Sequence, residues 1–188
     1  MTSIIKATSE DFQLLADIGK VSFIESHGSS ASGADISKYV NEKFTDEVIR
    51  NELADQKNIY HIIYHDNRPA GYSKIIFNSS HPDIPEKNVT KLERLYLLKE
   101  FYGSKSGPTL FHTNLELSRN NHQAGMWLFV WKGNHRAFAF YQKKGFKVIG
   151  SYDFKLTAAH SNPNYHMLLK YDPVEPYMGK PARLPVEN

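Results

Sequence analysis

Apolar and polar residues follow two rhythms along this chain, one of two residues and one of three to four, and the changes of rhythm mark its elements. Residues 4–7 are a strand candidate. Thr8 then caps a helix with Glu10 and Asp11 in its first turn and Phe12, Leu15, Ile18 and Phe23 facing inward. A loose Gly/Ser segment at 28–33 leads to a second helical region over 36–56, broken at Thr45, which caps its second part. Residues 58–65 are rich in β-branched and aromatic side chains, and so are 70–77; the turn Asp66-Asn-Arg-Pro69 makes them a hairpin. A loop with Pro82 and Pro85 spans 78–88, and a strand follows over 89–98. After a glycine-containing loop come a helix over 108–121 and the apolar strand Trp127-Leu-Phe-Val-Trp131.

The next stretch is the most explicit. Asn134 is a good N-cap, and Ala137, Phe140 and Tyr141 fall on one helical face. Lys143 and Lys144 complement the negative helix end, and Gly145 supplies the left-handed residue that stops it. Strands at 146–156 and 165–171 complete the order β-α-α-β-β-β-α-β-α-β-β, which predicts an α/β fold with a mixed sheet. We divide the chain into a domain at 1–172 and a Pro-rich tail at 173–188, expected to be extended or disordered.

Composition narrows the function classes. At 188 residues, 40% of them apolar, the chain is large enough for one full hydrophobic core. No apolar run approaches the ~20 residues that cross a bilayer, and the N-terminus lacks the pattern of a signal peptide. The chain has no cysteine, which excludes disulfides, thiol catalysis and cysteine metal sites. The cytoplasm is the expected compartment. A net charge of +3 comes from scattered basic residues, so neither a nucleic-acid partner nor a membrane is expected. The nine histidines include His61 and His65 on one strand face and His160 and His166 beside a loop. None forms an H-x-x-x-H pair beside a carboxylate, so no metal site is expected. Ser73, Ser104 and Ser106 lack a nucleophile-elbow context.

The pattern N-x-x-A-x-x-F-Y-x-x-x-G-F after an apolar strand resembles the acetyl-CoA-binding half of the GNAT superfamily of N-acetyltransferases. The order of elements over 1–171 agrees with it. Within that superfamily Glu93-Arg-Leu-Tyr96, Trp127 to Trp131 and Asn134 to Phe146 are most similar to the PaiA-type spermidine/spermine N-acetyltransferases. The resemblance implies a GNAT fold of six to seven strands flanked by about four helices, with acetyl-CoA as cofactor. It implies transfer of acetyl to a primary amine of a small molecule, polyamines included. A protein N-terminal or lysine acetyltransferase and a CoA-binding regulatory module with little turnover are the alternatives. Homodimers are common in the family, but no interface is derivable from the chain.

The same resemblance assigns roles. The family's Arg/Gln-x-x-Gly-x-Gly/Ala loop, whose backbone N–H groups cradle the cofactor pyrophosphate, corresponds to Tyr102-Gly103-Ser104-Lys105-Ser106-Gly107-Pro108. Gly103 and Gly107 are kept. Tyr102 replaces the Arg or Gln, Lys105 replaces the middle glycine, and Pro108, near the first helical position, removes one N–H donor. Lys105 is expected to offset this with its ammonium. Leu95, Tyr96 and Leu97 would present strand backbone to the thioester. Tyr141 matches the acid that protonates the leaving thiolate. Glu93, nine positions before Tyr102, matches a glutamate of the polyamine-acetylating branch and would act as base. The two-residue period puts it on one face with Leu95 and Leu97, and a structural ion pair is its alternative. Asn134 either contacts the cofactor or only caps the helix. Phe140 reads as core and Glu25 as a solvated charge. Glu86, Glu93 and Glu100 are the carboxylates near an acceptor mouth.

Overall fold

The computed structural model describes residues 1–172, so the tail expected at 173–188 lies outside the described residues. Strands β1 (Thr2–Lys6), β2 (Asn58–His65), β3 (Arg68–Ile76), β4 (Val89–Leu97), β5 (Gly125–Trp131), β6 (Lys147–Lys155) and β7 (Ser161–Lys170) form one sheet. Their order is β1-β2-β3-β4-β5-β7-β6. Only β4 and β5 run parallel; every other pairing is antiparallel. This is the expected mixed α/β fold. The helices are α1 (Phe12–His27), α2 (Gly33–Lys43), α3 (Asp46–Ala54), α4 (Ser106–Asn120) and α5 (His135–Lys143). The break at Thr45 splits the second helical region in two: the Thr45 side chain accepts from the Val48 N–H, so α3 starts as a separate helix.

Local chemistry sets several boundaries. Asp66 and Asn67 both take positive φ (48° and 60°), the signature of a two-residue type I′ turn, so the hairpin is tighter than the four-residue turn expected. Strand β7 begins four residues before the expected position, because it lies between β5 and β6 and gains partners on both sides as far as Ser161↔Lys155 and Asn164↔Trp131.

Two cores cover the two faces of the sheet. Helices α1, α2 and α3 bury Leu15, Ile36, Val40, Phe44 and Ile49 against Tyr60, Ile62 and Tyr72. On the other face, Phe111 of α4 and Tyr141 of α5 pack with Ile75, Leu92, Met126, Leu128 and Val130. A charged group lies under the first layer. Glu52 of α3 accepts from Arg94 at 2.8 and 3.2 Å and from the Tyr60 hydroxyl, and lies 3.1 Å from the Lys74 ammonium. One carboxylate thus serves two largely buried cations.

Burial raises the Glu52 pKa, but Arg94, the Tyr60 hydroxyl and Lys74 outweigh it and hold the carboxyl below the ordinary 4.5. With a depressed folded pKa, the stabilisation is complete above 4.5 and is lost as pH falls through the lower folded value. Glu52→Ala leaves Arg94 and Lys74 unneutralised, and a loss of about 3–5 kcal/mol is expected in urea unfolding at pH 7. The gap between wild type and variant should narrow as pH drops below 4.5; an unchanged gap would refute this account.

Candidate active site

The parallel pairing of β4 and β5 covers Val89↔Gly125, Thr90↔Met126 and Lys91↔Trp127, and then ends. Beyond Lys91 the two strands part, and the β5 side of β4 is left without a strand partner. Two cavities meet in that gap. One is lined by Glu93, Tyr96, Phe129, Trp131 and Asn134, with Phe23 and His27 of α1 and Tyr39 of α2 above them. The other runs along Tyr102, Gly103, Lys105, Gly107 and Pro108 to Phe140. Leu95, Leu97, Tyr102, Arg136, Ala137 and Tyr141 border both.

The structure corrects the face assigned to Glu93. Lys74 pairs with Arg94 while Ile75 pairs with Leu92, so Glu93 is the extra residue of a β-bulge. Leu92 and Leu95 pack in the core beneath α4 and α5, whereas Glu93 turns to Lys91, whose ammonium lies 2.5 Å from its carboxylate. The two-residue period fails here because the bulge inserts one residue into it. Burial raises the Glu93 pKa, but Lys91, Lys74 and Arg94 overcome that and leave it below the usual glutamate value. The carboxylate is therefore ionised at neutral pH, ion-paired, and still on the cavity wall.

Tyr141 lies where the cavities join. It is buried between the Phe140 and Phe146 rings, with centroids 5.3 and 5.5 Å away. Burial pushes its phenol well above the ordinary 10, with Arg136 opposing in part, so it stays protonated at neutral pH. Asn134 caps α5 by accepting from the Ala137 N–H at 3.0 Å, and it also borders the first cavity. Arg136, in the first turn of α5, stacks its guanidinium 3.5 Å from the centre of the Tyr102 ring. That contact had no signal in the sequence, since 34 positions separate the two residues.

The loop between β4 and α4 is ordered by its own side chains. The Ser104 hydroxyl donates to the Phe101 carbonyl at 2.6 Å and lies 2.8 Å from the Ser106 hydroxyl. Gly103 has φ +84°, and Lys105, where the family has glycine, keeps a left-handed backbone with φ +64°. The loop therefore holds a glycine-like path without the glycine. Helix α4 begins at Ser106, which makes Pro108 its third residue rather than its first. Its missing N–H still falls within the first turn, where no helical acceptor exists. A Cβ on Gly107 would come within 3.3 Å of Leu97, so this glycine lets α4 pack close to β4.

Other residues separate from the site. Glu25 is exposed and accepts from the Lys99 N–H at 2.7 Å; Phe23, Ser26 and His27 are the α1 residues on the cavity. Glu86 pairs with Lys170 and Glu100 with Arg68, so neither carboxylate joins Glu93 at the mouth. His61 bonds Asn114 of α4, and His160 approaches the Ser30 carbonyl. His27 went unnoticed in the sequence. Burial lowers its pKa to about 4, partly offset by the Phe23 carbonyl, so it is a neutral imidazole at pH 7.

Comparison with known proteins agrees with this arrangement. The acetyltransferase (GNAT) family model matches residues 25–146, and the chain belongs to that family. It is an N-acetyltransferase that uses acetyl-CoA. It is 25% identical over 153 residues to an N-acetyltransferase of Lactobacillus delbrueckii subsp. lactis, covering 81% of this chain and 88% of the relative. It is 27% identical over 151 residues to a spermidine N(1)-acetyltransferase of Thermoplasma acidophilum, covering 77% and 88%. The fold is similar to that of the PaiA N-acetyltransferase of the same organism, solved in complex with coenzyme A, with a TM-score of 0.73. That likeness covers 91% of this chain and 99% of the other at 23% identity.

The left-handed backbone at Lys105 costs a non-glycine residue about 1–2 kcal/mol. Lys105→Gly should therefore raise stability by about 0.5–1 kcal/mol in chemical denaturation, after the entropy cost of glycine. A lower midpoint for the glycine variant would show that the lysine side chain itself holds the loop.

Proposed function

We propose that the protein acetylates a primary amine of a small molecule by direct attack on the thioester of acetyl-CoA. The observation that carries this is the placement of Glu93 and Tyr141 on one cavity, at the gap where β4 offers unpaired backbone. The cofactor lies in the groove along Tyr102, Gly103, Ser104, Lys105, Ser106 and Gly107, with the Lys105 ammonium and Arg136 close to its phosphates. Backbone of Leu95, Tyr96 and Leu97 receives the thioester arm and the oxyanion, and Asn134 borders the same passage. The amine enters from the side of Phe23, Tyr39 and Phe129.

In this reading the amine gives a proton to Glu93, directly or through water, and its nitrogen forms a bond to the thioester carbonyl carbon. The tetrahedral intermediate then breaks its C–S bond, the CoA thiolate takes the Tyr141 phenolic proton, and the second proton leaving the nitrogen returns Tyr141 to its phenol form. The lowered pKa makes Glu93 a weak base, which favours a water-relayed transfer and electrostatic attraction of the ammonium form. Helices α1 and α2 and strands β6 and β7 contribute to the cavity wall, which supports a small acceptor over a protein terminus. A cysteine-free chain suits the cytoplasm.

A polyamine acceptor is the second reading, favoured by the name of the Thermoplasma acidophilum spermidine relative. The charges around the cavity favour it less: Glu93 is accompanied by Lys91, Arg94 and Arg136, an unfriendly lining for a polycation. The aromatic walls suit an aromatic or apolar monoamine. Calorimetry with acetyl-CoA followed by thiol release across aromatic monoamines, polyamines and peptide N-termini tests all of this. Turnover on a monoamine or polyamine supports a small-molecule enzyme and chooses between its two acceptors. Turnover on peptides alone, or cofactor binding without turnover, overturns the proposal.

Tyr141→Phe should lower kcat by about 10²-fold or more, the usual worth of a positioned proton donor, while the KM for acetyl-CoA stays within about twofold. An unchanged kcat would remove Tyr141 from the reaction. Glu93→Gln should lower kcat/KM for the amine and abolish the acidic limb of its pH profile; an unchanged profile would leave Glu93 only its ion pair with Lys91.

A further inference from the structure

On the α1–α3 side of the sheet, but outside the acceptor cavity, the loop between β3 and β4 meets β7. There His81, Asp83 and His166 bring one ligand atom each within 4.8 Å of one another. The Asp83 carboxylate is 3.7 Å from His81 Nδ1 and 3.6 Å from His166 Nδ1. In a tetrahedral site with bonds of about 2.0–2.1 Å, ligand atoms stand roughly 3.3 Å apart. Two edges of such a site are already within a few tenths of an ångström.

The state of the imidazoles points the same way. His166 is only 1% exposed, yet its Nε2 has no hydrogen-bond partner, and its Nδ1 stands beyond hydrogen-bond reach of Asp83. An ion between Nδ1 and the carboxylate would give this buried ring a partner at Nδ1, while Nε2 stays unpartnered. The Asp83 backbone N–H donates to His81 Nδ1 at 3.3 Å, a long hydrogen bond that an ion on that nitrogen would replace. The loop carrying His81 and Asp83 is also fixed. Trp127 Nε1 donates to the Ser79 carbonyl at 2.7 Å, and Ile84 is fully buried beside Trp127 and Leu168. Backbone of β6 closes the cluster, with an ideal Cβ on Gly150 falling 3.9 Å from Asp83 Oδ2.

We propose that His81, Asp83 and His166 form a binding site for a divalent transition-metal ion of the zinc class. Two imidazoles and a carboxylate suit such ions and disfavour calcium or magnesium, which take oxygen ligands. The exposed side of Asp83 leaves the fourth position to water. The ion's role is structural: it ties the loop over 78–88 to β7. The Phe129 ring, 4.9 Å from His166 and 5.8 Å from His81, stands between the ion and the acceptor cavity and would be steadied by it. No step of acetyl transfer passes through this site.

The test uses the full chain, free of any histidine tag and stripped with a chelator. Calorimetric titration with Zn²⁺ should give one ion per chain at micromolar affinity or tighter, together with a raised thermal midpoint. Co²⁺ should produce the visible absorption of a tetrahedral site. His81→Ala and Asp83→Asn should each weaken Zn²⁺ binding at least tenfold and remove the thermal shift. Both changes lie on the loop, and circular dichroism of the metal-free proteins checks their folding. Absence of Zn²⁺ binding by wild type, or equal binding by wild type and both variants, overturns the proposal. Neither outcome bears on acetyl transfer, which is measured separately.

Discussion

Hydrogen bonding between β4 and β5 lasts for three residue pairs and stops at Lys91↔Trp127, and the site depends on that termination. A sheet paired along its whole length would leave no free backbone on the β5 side of β4. Here β4 remains paired to β3 on its other side, so the free segment is held rigidly while one edge stays open. The bulge at Glu93 falls at the point of parting. It turns a carboxylate away from the apolar core and toward the cavity without interrupting the strand. The mixed topology makes this opening central: it lies at the parallel pair, with helices α4 and α5 bringing the loop over 102–107 and Tyr141 to it from the face opposite α1 and α2.

Charge around the opening is arranged in paired groups. Glu52 neutralises Arg94 and Lys74 beneath the sheet, and Glu93 is shared with Lys91 at the cavity wall. Buried cations held by few carboxylates lower the pKa of each carboxylate, which explains why Glu93 is ionised despite its burial. The same excess of cations gives the cavity its character, aromatic at the sides and basic at the base. Arg136 and Lys105 carry that positive charge to the second cavity, the groove proposed for the cofactor. The stacking of Arg136 on Tyr102 returns a guanidinium to the end of the groove from a different helix.

Much of this was legible in the chain. Caps, glycine stops and periodicity placed the elements, and the path from Asn134 to Gly145 was readable because each signal acts within a few residues. Tyr141 was visible for the same reason, since helical spacing alone set it beside Ala137 and Phe140. The loop over 102–108 showed its departures from the family, but the positive φ kept at Lys105 did not show, because a lysine there advertises no such backbone. A glutamate on an otherwise apolar strand is visible in the sequence, but the face of Glu93 is not, because a bulge shifts register through pairing with another strand. His81, Asp83 and His166 formed no motif, since two lie on a loop and the third 83 positions after Asp83.

What the sequence determined by itself was therefore what local physics governs: which segments are helix or strand, where caps and glycines end the helices, and which side chains share a helical face. The order of those elements was enough to indicate the mixed sheet, and the residue pattern from Asn134 to Phe146 indicated the family. The tertiary structure alone decided where β4 leaves β5, which way Glu93 points, and that Arg136 meets Tyr102. It also decided that two histidines and an aspartate converge. These outcomes depend on hydrogen-bond register and side-chain packing between segments far apart in the chain, and no short-range pattern encodes the distance between them.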